Sequence, residues 1–306
     1  MREVKSNPIG ALRPLPPFTL RPLPPFDLAR TLDSGQAFHW MKDGAGFAGA
    51  IGDEAVRVAQ RGDTLAVTRG CEEIARRYFA LDDPLAEICA TFPKDDALAA
   101  AAEFCSGMRI LRQPAWECLA TFITSSMKQV AHIAQMSHAI RRTWGRRMEI
   151  DGMEVFTYPP PEKLAAASEP ELRACKLGYR AKNLLGTARM IAGGEVDLRA
   201  IEKMDDEAAR AELCRLPGVG EKVANCALLF GFGRLAAFPI DVWIERVLRA
   251  IYFKGKRNVT AKRLRDFSAQ HFGPFGGYAQ QYLFHHARKT RRKKSGTQEL
   301  RKGKSG

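Results

Sequence analysis

Lys222 stands two residues beyond the turn Leu216-Pro217-Gly218-Val219-Gly220 and nineteen residues ahead of Asp241. A primary amine can attack an electrophilic carbon and form a covalent intermediate, provided a neighbour can take its proton. A carboxylate can accept that proton or stabilise positive charge developing nearby. The turn supplies a third function. Gly218 and Gly220 admit backbone conformations closed to other residues. The helix expected from Glu221 leaves its first N–H groups unpaired at a positive end, where a phosphate oxygen fits without a cationic side chain. Asp241 follows Phe238-Pro239-Ile240 and precedes Val242-Trp243-Ile244-Glu245-Arg246, an N-cap position. Singly, each feature has an ordinary reading: a helix connection, a surface lysine, a capping aspartate. Together they point to chemistry on a nucleic acid.

The elements that must position these residues follow from pattern. An amphipathic run at 206–215 enters the turn and another at 221–232 leaves it. Further helices are expected at 72–80, 84–91, 95–104, 116–126, 129–144, 180–192, 242–252, 260–271 and 278–287. Before Cys71 the pattern is short and strand-like, at 37–41, 47–51, 54–59 and 64–68. Asp43-Gly44, Gly52-Asp53 and Gly62-Asp63 separate these runs as hairpin turns. The expected class is therefore α+β, a small N-terminal antiparallel β-sheet domain packed on a mostly helical body. The divisions are a Pro-rich flexible N-terminus (1–26), an α+β domain (27–112), a helical catalytic domain (113–287) and a basic disordered tail (288–306). The first carries an octapeptide repeat, Arg13-Pro-Leu-Pro-Pro-Phe-Thr-Leu20 and Arg21-Pro-Leu-Pro-Pro-Phe-Asp-Leu28. Its prolines forbid helix, and a short duplication explains it better than a peptide ligand does.

Composition agrees with a polyanionic partner. The 306 residues carry 48 Lys and Arg against 34 Asp and Glu, a net +14. The stretch 288–306 holds nine Lys or Arg and one Glu, so +8 lies there and +6 on the rest. That tail speeds association with DNA or serves as an address signal, or is merely solvated. No apolar run reaches transmembrane length, and no signal peptide is evident, so an intracellular protein is expected: cytoplasm or nucleoid in a prokaryote, nucleus in a eukaryote. The seven cysteines are odd in number, scattered and without a CxxC spacing. This argues against a disulfide framework, zinc and a four-cysteine iron–sulfur loop.

Several further motifs join the turn block in order along the chain: Ser34-Gly35-Gln36-Ala37-Phe38-His39-Trp40, Phe122-Ile123-Thr124-Ser125-Ser126, Leu177-Gly178-Tyr179-Arg180-Ala181, Pro239-Ile240-Asp241-Val242, and Gly273-Pro274-Phe275 with Tyr278-Ala279-Gln280-Gln281-Tyr282-Leu283-Phe284. Over about residues 27–287 the chain resembles the 8-oxoguanine DNA glycosylase/lyase family of helix-hairpin-helix DNA glycosylases. The resemblance implies that Lys222 attacks the sugar C1′, expels the oxidised base and forms a Schiff base, with β-elimination then nicking the strand. Asp241 would stabilise charge on the sugar or assist proton transfer. The base would leave the stack for a pocket, with Phe284 on one face and Cys226 on the other. Gln280 would read its Watson–Crick edge. Gly35 would present a carbonyl to N7, which carries a proton in 8-oxoguanine and none in guanine. The turn Gly218-Val219-Gly220 would hold phosphate. The implied partner is double-stranded DNA containing an oxidised purine, bound by a monomer, with no cofactor, metal or membrane.

The chain also departs from that family. An asparagine run that fills the gap left by the flipped base is replaced by Met127, Lys128 and Gln129. Met127 can wedge the stack but cannot bond a base edge as asparagine does. His132 replaces an arginine that reads the opposite cytosine, whereas Tyr179 and Arg180 match the other opposite-strand contacts. Trp243 replaces a phosphate-touching histidine, with an indole N–H able to donate. Weak discrimination of the base opposite the lesion is therefore expected. Two other readings stay open: a monofunctional glycosylase for another damaged purine, such as an alkylated base, and a non-catalytic DNA-binding protein that keeps the hairpin.

Overall fold

A computed structural model describes residues 19–20, 23–126 and 129–302, with Thr19 and 291–302 described as backbone only. Most of the proline-rich repeat, and Met127 and Lys128, lie outside the described residues. Five antiparallel strands form one sheet in the order β1-β5-β4-β3-β2: β1 Thr19–Leu20, β2 Met41–Asp43, β3 Gly46–Ile51, β4 Glu54–Arg61 and β5 Thr64–Val67. Pairs Ile51↔Glu54 and Arg61↔Thr64 leave two-residue loops whose first residues, Gly52 and Gly62, have φ of +58°. That conformation matches the twist of a hairpin and is open to glycine. Val56, Val58, Leu65 and Val67 are fully buried and pack with Leu28, Leu32 and Phe79.

Three expectations for this region need correction. The strand expected at 37–41 begins only at Met41, the start of β2, and 34–40 is a loop. The buried Gln36 explains it: its Nε2 donates to the Arg109 carbonyl at 2.9 Å, and its Oε1 accepts from the Leu111 N–H at 2.8 Å. A side chain bonded inward on both ends pins the backbone away from a ladder. The sheet domain also reaches into the stretch taken as flexible, since Thr19 and Leu20 pair with Ala66 and Leu65 and Phe26 is buried. Finally, a second sheet lies within the helical half, the hairpin of β6 Arg147–Ile150 and β7 Met153–Phe156 around Asp151-Gly152.

The helical body holds the helices Ala115–Ser125, Val130–Trp144, Arg180–Ala192, Asp206–Cys214, Glu221–Phe230, Val242–Ile251 and Ala261–Phe272. Its core runs through Leu119, Ile123, Leu184, Leu213, Leu228 and Leu248, all at most 1 % exposed. The last helix runs Gly276–Lys302, so the basic stretch from Arg288 continues it. Lys and Arg are good helix formers, and no proline interrupts the run. Low hydrophobicity argued for disorder there; helix propensity and the anchoring of Arg288 and Lys289 to Asp33 oppose it. Polar bonds seal the two halves. Glu117 pairs with Arg141 and lies 3.4 Å from His39 Nδ1, all three buried. Burial and the Arg141 charge hold the His39 imidazole well below its usual pKa, so it is neutral at pH 7.

Candidate active site and nucleic-acid interface

The helix Glu221–Phe230 starts directly at Gly220, which places Lys222 in its first turn, half-buried. This helix packs on Ala115–Ser125, and that neighbour orients the amine. Lys222 Nζ donates to Ser125 Oγ at 3.3 Å and lies 5.2 Å from the centroid of the Phe122 ring. One turn further on, Cys226 is buried. Burial pushes its thiol up to about 11, against the opposing pull of Lys222. The Cys226 sulfur is therefore protonated at neutral pH and presents a small apolar wall.

Asp241 is an N-cap, as its sequence neighbours predict. Its Oδ1 accepts from the Ile244 N–H at 2.8 Å. Burial raises its carboxyl above the usual range. The Ile244 N–H, the Lys222 charge and the Trp243 N–H pull in the other direction. Lys222 and Asp241 thus sense each other electrostatically from two helix N-termini, although they form no ion pair within 4 Å. Such a separation leaves room for a reacting group between amine and carboxylate. A cleft lined by Lys222, Asn225, Phe238, Ile240 and Glu245 runs between the two helix starts, and Asp241 itself is not among its lining residues.

The expected base-binding residues come from both halves of the molecule. Gln280 is 4 % exposed, and its Oε1 has no hydrogen-bond partner. A buried acceptor left unpaired costs about 1–3 kcal/mol, so this oxygen is able to accept from a donor brought to it. Phe284 follows one turn later, half-buried on the same helix. Gly35 has φ of +89°, and a methyl group built on it would lie 3.5 Å from Phe284 Cε1. The carbonyls flanking Gly35 are taken: Gln281 Nε2 donates to Ser34 O at 3.0 Å and Gln113 Nε2 to Gln36 O at 2.9 Å. Among the described residues no donor reaches the Gly35 carbonyl. Phe38, in the same loop, meets Phe122 edge-on at 6.0 Å, and Phe122 lies under Lys222. The loop that carries Gly35 and the Lys222 amine are thus connected through one pair of rings.

The hairpin has the form its glycines predict. Gly218 has φ of +78°, and a methyl group there would strike the Asn183 side chain at 2.7 Å. Val219 is buried and anchors the turn, while Gly218 and Gly220 are exposed and open space lies over Gly220. Thr187 Oγ1 fixes the turn from below by donating to the Pro217 carbonyl at 2.9 Å.

The residues expected to contact the opposite strand, and Trp243, expected at a phosphate, divide. His132 is exposed near the start of its helix, Tyr179 is 56 % exposed, and Trp243 is half-buried beside Asp241. Arg180 differs from expectation. It is 4 % exposed, and its guanidinium donates inward to the carbonyls of Ser126 and Leu177. Two carbonyls left at a helix end and a π-turn attract it more strongly than solvent does, so it secures the backbone leading to residue 127. Sequence reasoning also missed Arg288, assigned to the tail. Its guanidinium lies 5.5 Å from the Phe284 centroid, and the signal was the four-residue spacing from Phe284.

Residues 20–119 match the family of the 8-oxoguanine DNA glycosylase N-terminal domain, and residues 120–270 match the HhH-GPD superfamily base excision DNA repair protein. The N-glycosylase/DNA lyase OGG1 of Arabidopsis thaliana is 32 % identical over 277 residues, spanning 84 % of this chain and 76 % of that one. The Clostridium acetobutylicum 8-oxoguanine glycosylase/lyase, solved with double-stranded DNA containing cytosine opposite 8-oxoguanine, superposes with a TM-score of 0.83. It is 32 % identical and covers 87 % of this chain and 93 % of its own. A 3-methyladenine DNA glycosylase from Archaeoglobus fulgidus shares the fold at a TM-score of 0.74 and 19 % identity, covering 89 % of this chain and 98 % of its own.

Proposed function

The chain belongs to the 8-oxoguanine DNA glycosylase/lyase family, and from that premise we propose how its residues carry out base-excision repair of 8-oxoguanine. It is a DNA glycosylase with lyase activity, and double-stranded DNA is its partner. In our reading Lys222 Nζ attacks C1′ of the flipped nucleotide. The C1′–N9 bond breaks, the electron pair leaves with the base, and the base is protonated as it departs. The amine loses its protons as the sugar ring opens to the imine. Loss of a C2′ proton then expels the 3′ phosphate by β-elimination and nicks the strand.

Asp241 opposes the positive charge that C1′ and the sugar oxygen develop as the base departs. Its capping bond to Ile244 fixes the carboxylate in place, so little reorganisation accompanies the reaction. Gln280 Oε1 accepts from the Watson–Crick edge, Phe284 and Cys226 enclose the ring, and the Gly35 carbonyl accepts from N7–H. Guanine lacks that proton and meets the carbonyl lone pair instead. Gly218, Val219 and Gly220 hold a backbone phosphate beside the site. One chain carries every residue assigned, so we propose a monomer, acting inside the cell where genomic DNA is.

The observation that carries this reading is the half-buried Lys222 amine, walled by Ser125, Phe122 and Cys226 and within the field of Asp241. The test is incubation with a duplex carrying one 8-oxoguanine, with and without borohydride. The expected result is a covalent protein–DNA adduct with borohydride and a nicked strand without it. Release of the base with no trapped adduct would assign the chain to a monofunctional chemistry instead.

A further inference from the structure

Arg288 is the first residue of the basic stretch, yet it belongs to the lesion pocket by position. Its Nη2 donates to the Asp33 carbonyl and meets His285 Nδ1 at 3.4 Å. Lys289 pairs with the Asp33 carboxylate next to it. His285 is buried, and burial together with the Arg288, Lys289 and Arg30 charges lowers its pKa to about 4, with Asp33 opposing. The imidazole is neutral at pH 7, so it can accept from the guanidinium rather than repel it. These partners hold Arg288 against the wall that Gly35 and Phe284 form. A methyl group on Gly35 would come within 2.9 Å of Arg288 Nη1, nearer than the 3.5 Å to Phe284 Cε1. The guanidinium also lies 5.5 Å from the Phe284 centroid.

The Arg288 guanidinium therefore borders Gly35, the residue whose carbonyl is the expected acceptor. The oxidised edge of 8-oxoguanine is a cyclic amide, with N7–H a donor and C8=O8 an acceptor on adjacent ring atoms. Guanine presents an acceptor at N7 and an apolar C–H at C8. The two protein groups complement the first edge at both atoms and the second at neither. We propose that Arg288 is a specificity-determining residue that donates to O8 of the flipped base while the Gly35 carbonyl accepts from N7–H. This rests on the assignment of 8-oxoguanine as substrate and of Gly35 and Phe284 to its pocket. Reading both atoms makes recognition of the lesion less dependent on N7 alone. A bond donated by a charged group is stronger than one between neutral groups.

The test separates base recognition from the chemistry at Lys222. Arg288→Met keeps an unbranched apolar stem along Phe284 and removes the donors; Arg288→Lys keeps the charge but not the planar fork. The full-length chain and both variants are assayed in single turnover on a duplex with one 8-oxoguanine and on a duplex with a preformed abasic site. The expected result for Arg288→Met is a loss of roughly tenfold or more in base excision, with abasic-site cleavage within about twofold of wild type, because no base enters the pocket there. Arg288→Lys falls between. An equal fall on both substrates would make Arg288 a structural clamp on Asp33 and overturn the proposal. So would an Arg288→Met variant that excises as wild type does. If the wild-type chain leaves the 8-oxoguanine duplex intact while cleaving the abasic one, the substrate assignment itself fails, and with it this inference.

Discussion

The residues expected on the lesion side and those expected on the side of the other strand treat their polar groups in opposite ways. On the lesion side, Gln280 Oε1 is buried without a partner, and no described donor reaches the Gly35 carbonyl. On the side facing the other strand, Arg180 is buried with its guanidinium committed to the Ser126 and Leu177 carbonyls, and it lies 4.4 Å from the Tyr179 ring centroid. A site discriminates strongly where a wrong ligand leaves its own buried groups unpaired. It discriminates weakly where those groups are already satisfied within the protein. With the proposed site assignments, the contrast predicts a chain strict about the damaged base and tolerant of its partner.

Removing the amine is the severest test of the lesion side. Lys222→Gln is expected to lower base release by roughly 10³-fold or more and to abolish borohydride trapping, while duplex affinity changes only a few-fold. Single-turnover excision and a gel-shift titration measure the two. Base release at the wild-type rate would require another nucleophile and dissolve the comparison at its centre.

Asp241→Asn comes next, with a loss of roughly 10²–10³-fold in excision, since the charge facing the sugar is gone. Stability should move in the other direction. Burial raises the Asp241 pKa in the folded chain, so the folded state binds that proton more tightly than the unfolded state does. The associated stabilisation is complete in acid, below the unfolded pKa, and is lost as pH rises through the raised folded value. Asparagine is neutral throughout and caps a helix as well as aspartate. The variant should therefore be at least as stable as wild type at pH 7, with the gap closing as pH falls below the usual aspartate range. Denaturant melts at several pH values check the sign; a variant markedly less stable at pH 7 would make Asp241 chiefly structural.

Gln280→Leu sharpens the comparison further. It removes an unpaired buried oxygen and leaves a side chain of similar size, so no stability should be lost. Excision of 8-oxoguanine should still fall about 10²-fold, because the Watson–Crick edge then meets no acceptor. A large fall in melting temperature with normal excision would show that Gln280 serves the fold.

Much of this site was legible in the sequence, for identifiable reasons. Lys222, Asp241 and the Gly218–Gly220 turn are local: a cap, a turn and a helix start are written in consecutive residues, and the structure has them as read. Residues 37–40 read as strand but form a loop, because the conformation there is set by Gln36 bonding to Arg109 and Leu111, more than seventy positions away. The β6–β7 hairpin carries only the Asp151-Gly152 turn as its signal, set within an otherwise helical pattern. Charge density from Arg288 onward predicts disorder and ends the last helix at 287, whereas helix propensity carries it to Lys302 with Arg288 inside it. Arg180 could not be read at all. Nothing in Tyr179-Arg180 indicates that the guanidinium turns toward Ser126, fifty-four residues back.

The smallest effect concerns the tolerant side. Cleavage of 8-oxoguanine opposite each of the four bases should span no more than about tenfold, because one to two hydrogen bonds' worth of discrimination is missing. Met127 offers the partner base no donor, His132 stands where the family has arginine, and Arg180 is engaged with its own backbone. Arg180→Ala separates positioning from reading. It leaves the Ser126 and Leu177 carbonyls without their donor and should cost about 1.5–3 kcal/mol of stability, measured by chemical denaturation. If Arg180 only secures that backbone, the variant slows excision opposite all four bases by a common factor and their ranking survives. A selective loss opposite cytosine would mean that Arg180 swings out to read the partner on binding, and that the tolerant side becomes strict once DNA is present.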